Sequence, residues 1–386
     1  MSGACEIGVR STPRTGDRAQ LARYDTPVKT ERIDSIQILR AAAALVIVLL
    51  HAQADAAALG TRIGASFRPS ALLPWPAGVD LFFVISGFVM VHASGRLFGS
   101  EGAARVFLVR RLARIVPIYW ATTTLWLVIA LALPGLINSA RPDAGAIAAA
   151  YLFIPHMRPD GLIQPIYSLG WTLNYEMFFY IAFAVLIGLG RRGVVLALGG
   201  LFCAIVLAAW LVPPTSTLLR FWTAPIILLF AAGASVGLLS AEGVRLKAPA
   251  ALALIAGGIG ALAADPPGFT SDALRIDAPA TFERLVWWGG PAIAIVAGAA
   301  LGPWREARGA AGRALVTLGD ASYALYLLHP FVIRALREVF LRSGLAGIVG
   351  PWGYLAITIM VCCIVSVLAY RWFERPLTRW LQARYS

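Results

Sequence analysis

His51 sits inside an apolar run, SIQILRAAAALVIVLLHA, that also carries Arg40. An imidazole titrates near neutral pH and so suits general-base work. A guanidinium offers several N–H donors to phosphate or carboxylate oxygens. The two residues are eleven positions apart. On an α-helix that interval leaves the side chains about 20° apart in azimuth and about 16 Å apart along the axis. They share a face at different depths. A histidine inside a bilayer is tolerated where it faces protein and finds a partner. His51 therefore reads equally well as a packed interhelical hydrogen bond or as a base in a dry site.

A second ionisable group lies in SLGWTLNYEMFFYIAF, where Glu176 falls about two turns in from one end. A carboxylate at that depth needs a cation, a donor or a proton. It is expected at a depth comparable to His51, so a Glu–His pair that orients the imidazole is one expectation, and a structural interhelical hydrogen bond is the other. A basic segment, RVFLVRRLARIVPIYW, supplies Arg105, Arg110, Arg111 and Arg114. Anchoring at a membrane surface explains several of these. Arg111 and Arg114 are also three apart, on one helical face, where paired N–H donors can grip phosphate oxygens. Pro117 follows and is expected to kink the helix or remove one of its hydrogen bonds. An interval of about 16 Å from the arginine level to His51 is comparable to the reach of a pantetheine arm. One extended CoA would then have its phosphates on the arginines and its thioester at the histidine. Asp80, Trp171 and His329 are weaker candidates for holding an acceptor. An interfacial cap is an equal reading for Asp80, and a structural role an alternative for His329. His92 and His156, near a membrane end and in a loop, have lesser claims.

The elements that must position these groups are membrane helices. Of 386 residues, 59% are hydrophobic and 14% charged, against about a quarter charged in an ordinary soluble domain. Apolar runs long enough to cross a bilayer as helices recur along the chain, and they are too uniformly apolar for barrel strands. The expected fold is an all-α polytopic transmembrane bundle of about ten spans, near 36–56, 78–96, 114–134, 170–189, 193–212, 220–240, 249–264, 284–303, 317–340 and 350–374. Ser86 and Gly87, mid-span, would permit close helix approach. Most of the 33 Lys and Arg residues fall on the side that holds both termini, which the positive-inside rule assigns to the cytosol. The expected organisation is a disordered cytosolic tail over 1–35, the membrane domain over 36–376 and a short cytosolic tail over 377–386. The connection from Gly135 to Leu169 holds an apolar piece, Ala144 to Ile154, that is too short to span and suits a re-entrant or interfacial segment over a substrate.

The net charge of +13 reads as membrane topology, not as nucleic-acid binding. Cys5, Cys203, Cys362 and Cys363 show no metal spacing and no disulfide framework, and no metal is expected. No HExxH or Walker loop is present, which removes the motifs of zinc proteases and P-loop ATPases.

Taken together, Arg40 with His51, GVDLFFVISGF, RRLARIVPIYW, SLGWTLNYEMFFY, SYALYLLH and the closing FERP resemble the membrane-bound acyltransferase 3 family in the family's own order, from about residue 32 to 376. The opening RIDSIQILRAAAALVIVLLHA is most similar to members that acetylate bacterial exopolysaccharide. The resemblance implies a multi-pass protein of the bacterial inner membrane that moves an acyl group, commonly acetyl, from cytosolic acyl-CoA to a sugar hydroxyl. Acetyl-CoA would be a donor substrate, with no permanently bound cofactor. The acceptor would be a carbohydrate or lipid-linked glycan, with polysaccharide-synthesis machinery as a further partner. By the same resemblance Arg40 and His51 become the family's Arg–His pair, Arg111 and Arg114 its RxxR pair, and Glu176 its carboxylate. Asn174-Tyr175-Glu176 stands at a place where the family often carries two consecutive acids. A proton-coupled transporter or flippase for a glycan, or a non-catalytic subunit of a polysaccharide synthase, would use the same buried groups differently.

Overall fold

The computed structural model describes residues 33–132, 142–264, 281–304 and 306–385. Most of the expected N-terminal tail, residues 1–32, lies outside them. Helices dominate, and the strand-like pairing among the described residues is one isolated bridge between Met157 and Ile163. The chain is an all-α transmembrane bundle. Among the described residues six helical stretches are long and apolar enough to cross a bilayer, with Pro225–Ala241 and Ala248–Ala263 as shorter apolar helices.

Each of the ten expected spans coincides with helix. In chain order the helices are α1 (Asp34–Ile63), α2 (Gly78–Ala93), α3 (Ala103–Ala132), the short α4 (Ala144–Tyr151), α5 (Trp171–Leu186), α6 (Gly190–Leu211) and α7 (Thr217–Trp222). They continue as α8 (Leu228–Ala241), α9 (Ala248–Ala263), α10 (Gly290–Leu301), α11 (Gly309–Asp320), α12 (Ser322–Arg342), α13 (Leu345–Ala369) and α14 (Arg375–Tyr385). Two expected spans are subdivided. The stretch 220–240 breaks near Pro225, whose ring disfavours helix at the residue before it. The stretch 317–340 is two helices meeting at Ala321. The C-terminal residues from Arg375 onward form a helix rather than loose chain.

Small residues set the packing. The tightest seam joins α2 to α8. A Cβ added at Gly87 would collide with the Phe230 carbonyl oxygen, and one at Gly233 with that of Val84. Without a hydrophobic force between helices in lipid, such backbone approach supplies the van der Waals contact that holds them. On α1, Ala41, Ala44, Val48, Ala52, Ala56 and Leu59 are buried against α12 and α13, a spacing of three and four that marks one helical face. Ile36, Ala43 and Ile47 bury the opposite side of α1 in the larger core that contains α2. Helix α1 is thereby packed on both flanks and carries Arg40 and His51 on a rigid element. Pro117 does not interrupt α3, whereas α13 bends at Gly350, which adopts positive φ just before Pro351.

Candidate active site

Arg40, Arg111 and Arg114 converge on one cavity of about 110 Å³, walled also by Ser86, Glu176, Tyr180, Ser322, Tyr323 and Tyr326. Arg40 comes from α1. Arg111 and Arg114 come from the first half of α3, where their spacing of three puts both on the same face. The cavity thus receives three guanidiniums and one carboxylate. Arg40 donates through one terminal nitrogen to Gln37 Oε1 (3.0 Å) and through the other to Ser322 Oγ (2.9 Å). The Arg111 guanidinium lies over the Phe107 ring at 5.6 Å, and its Nε is buried without a hydrogen-bond partner.

Glu176 is held inside this cavity. Ser86 Oγ donates to its Oε1 at 3.2 Å, and Tyr180 Oη, one helical turn further along α5, donates to the same oxygen. The structure therefore brings Glu176 together with Arg40, Arg111 and Arg114. His51 is not among the residues that wall the cavity.

The neighbour of His51 is His329. Their rings meet edge to face, with centroids 5.1 Å apart and planes at 84°. The sequence around His329 explains how it is held. Pro330 has no N–H, so the carbonyl of Tyr326, four residues before it, loses its helical partner. The His329 ring turns back toward this opened turn, with Nδ1 3.0 Å from the Leu325 carbonyl oxygen and the Tyr326 carbonyl facing the same ring. Carbonyls only accept, so the proton of neutral His329 resides on Nδ1 and Nε2 presents a lone pair. That Nε2 is buried without a partner, and so is Nδ1 of His51. Two imidazoles thus lie in contact, each with a buried nitrogen left open. One turn beyond His51, Asp55 is engaged by Arg337 (2.7 Å) and by Tyr354 Oη (2.7 Å), which ties α1 to α12 and α13 beside the pair.

A second proline shapes the arginine end. Pro117 cannot donate to the Ala113 carbonyl, and that oxygen instead accepts from Thr378 Oγ1 at 3.3 Å. Gln382 donates to the Arg110 carbonyl at 3.2 Å. Helix α14 is thereby fastened along the basic stretch of α3, and Glu374, buried where α14 begins, acts electrostatically on Arg114 and Arg40.

The weaker candidates have other partners. Asp80, fully buried, is bound through both oxygens by Arg284, at 2.8 Å and 3.2 Å, and that guanidinium also lies 4.9 Å from the Trp288 ring. Trp171 packs edge-on against Phe83 and Tyr175. The cavity residues Ser322 and Tyr326 were not singled out from sequence, yet with His329 they fall at i, i+4 and i+7 of one helix, a face that spacing alone identifies. Tyr180 carries the same signal, four residues after Glu176.

A family model described as an acyltransferase domain matches residues 33–371. The chain is 34% identical to the exopolysaccharide production protein ExoZ of Rhizobium meliloti, over 80% of this chain and 91% of that protein. It is 27% identical to the acyltransferase MdmB of Streptomyces mycarofaciens, over 93% of this chain and 95% of that protein. No solved structure matches the chain.

Proposed function

The chain belongs to the acyltransferase 3 family, and on that premise we propose that it transfers an acyl group, acetyl in the simplest case, from acyl-CoA to a sugar hydroxyl of an exopolysaccharide or other cell-surface glycan. The observation that carries this reading is the convergence of Arg40, Arg111 and Arg114 on one buried cavity, with His51 on the same helix as Arg40 and about 16 Å along it. The arginines suit the phosphates of a nucleotide-bearing thioester, because guanidinium–phosphate bonds are charge-assisted and geometrically matched. The interval to His51 suits the arm that joins phosphate to thioester. The name of the Rhizobium relative supports a glycan acceptor.

In this reading the chain lies in the bacterial inner membrane with both termini and the arginine cavity on the cytosolic side, following the distribution of basic residues. His51 removes the proton from the acceptor hydroxyl as it attacks the thioester carbonyl, and the CoA thiolate leaves. His329 stands beside it with its Nε2 lone pair free to share that proton. Glu176, which lines the same cavity as the arginines, positions and balances the donor site in this reading. Purified protein given labelled acetyl-CoA and the glycan should yield acetylated glycan, and the His51→Ala protein should not. Unmodified glycan moved across a vesicle membrane, with no label transferred, would instead identify a transporter.

A further inference from the structure

A second cavity, of about 320 Å³, lies at the other end of α3 from the arginines, beneath α4 and the turn that follows it. Its volume is within the range of small-molecule sites. We propose that this cavity binds the acceptor as a neutral oligosaccharide, an inference that rests on the acyl-transfer reading for its role in the reaction and on the lining for its chemistry. Its wall combines the Trp126 indole with the His156 imidazole, the Gln164 carboxamide, the Ser168 hydroxyl and the Asp143 carboxylate. Such a set mixes donors and acceptors around an aromatic surface, which is what a ring bearing several hydroxyls and an apolar face requires. Among the described residues of the wall Arg158 is the one guanidinium, and it is paired to Asp160 at 2.8 Å. Arg334 lies over the Trp126 ring at 5.4 Å. The described lining thus holds no cluster of guanidiniums like that of the arginine cavity, which favours an uncharged acceptor over a polyanion.

The position matches the histidines in depth. Trp126 is twelve residues beyond Arg114 on α3, about 18 Å along the axis, close to the rise that separates His51 from Arg40 on α1. Trp126, Tyr167 and Phe331 pack together where the cavity wall meets α12, the helix that also carries His329. The segment above the cavity is built, not loose. Asp143 caps α4 through the Ala146 amide, Gln164 N–H bonds the His156 carbonyl, and Arg158 N–H bonds that of Leu162. Phe153, at φ 58°, is the one non-glycine residue at positive φ among the described residues, a strain that persists only where its surroundings enforce it.

The test is ligand-observed NMR on the full chain in lipid nanodiscs, with cellotetraose, β-1,4-galactotetraose and tetragalacturonate as probes. Saturation transfer to at least one neutral tetrasaccharide is expected. It should weaken about tenfold in Gln164→Ala and Trp126→Ala, the loss of one or two specific contacts. His156→Ala, at a half-buried position, repeats the measurement with less risk to folding, and unchanged CoA affinity confirms each variant is intact. Absence of transfer to both neutral probes, preference for the acidic one, or indifference to all three variants would overturn the proposal. Binding of a neutral sugar by a wild type that forms no acylated product would keep the cavity and sink the acyl-transfer reading. Acylation with unchanged KM for glycan in all three variants would do the reverse.

Discussion

The His51 and His329 rings meet edge to face at 5.1 Å, with His329 fixed by the turn that Pro330 opens. If the pair shares the proton of the acceptor hydroxyl, His51→Ala should reduce acyl transfer to background and His329→Ala should lower kcat by about 100-fold or more, the usual worth of a positioned acid or base. Tryptophan fluorescence and CoA binding should stay as in wild type. A His329→Ala protein with wild-type kcat would leave His51 working alone.

Removing Arg111 and Arg114 together should weaken CoA binding by more than about tenfold, since each charge-assisted bond is worth roughly 1.5–3 kcal/mol. The same variant should show a flatter dependence of affinity on salt, measurable by calorimetry at a series of ionic strengths. An unchanged affinity would mean that these arginines serve the membrane surface and not the donor.

Glu176 shares its cavity with the three arginines, so the isosteric Glu176→Gln removes a charge that opposes donor phosphates. CoA should bind this variant several-fold more tightly. Looser binding would place the carboxylate's work at the acceptor instead.

The Asp80–Arg284 pair is buried on both sides, with Asp80 at 0% and Arg284 at 12% side-chain exposure. Breaking such a pair strands a charge and costs about 3–5 kcal/mol. Asp80→Asn and Arg284→Met should each lower the thermal midpoint, and the double variant should recover part of the loss. If the two losses add without recovery, the pair contributes nothing jointly. A change in glycan KM without a change in midpoint would return Asp80 to the list of acceptor-binding residues.

Sequence periodicity located the helices well because lipid forces every spanning segment to satisfy its own backbone. It located Arg111 and Arg114 for a similar reason, since spacing of three defines a face. Partnership was harder to read. Residue counts alone put Glu176 and His51 at similar depths, yet the carboxylate sits in the arginine cavity with Ser86 and Tyr180 while the imidazole meets His329. Asp80 and Arg284 are 204 positions apart, and no local pattern joins them. The prolines show the intermediate case. Pro117 and Pro330 are visible as breakers in the sequence, yet neither stops its helix; each releases a carbonyl, and what takes up that carbonyl depends on tertiary neighbours.

Helix α1 runs from Asp34 to Ile63 without a proline or a break, so Arg40 and His51 are two marks on a single rod. Whatever the neighbouring helices do during a catalytic cycle, that interval cannot stretch or shorten unless α1 itself unwinds. The bundle in this respect is a gauge. On the acyl-transfer reading, a donor gripped at Arg40 would react only if its own length carried the reactive carbon to the second mark, and a shorter thioester with the same phosphates would occupy the protein as an inhibitor.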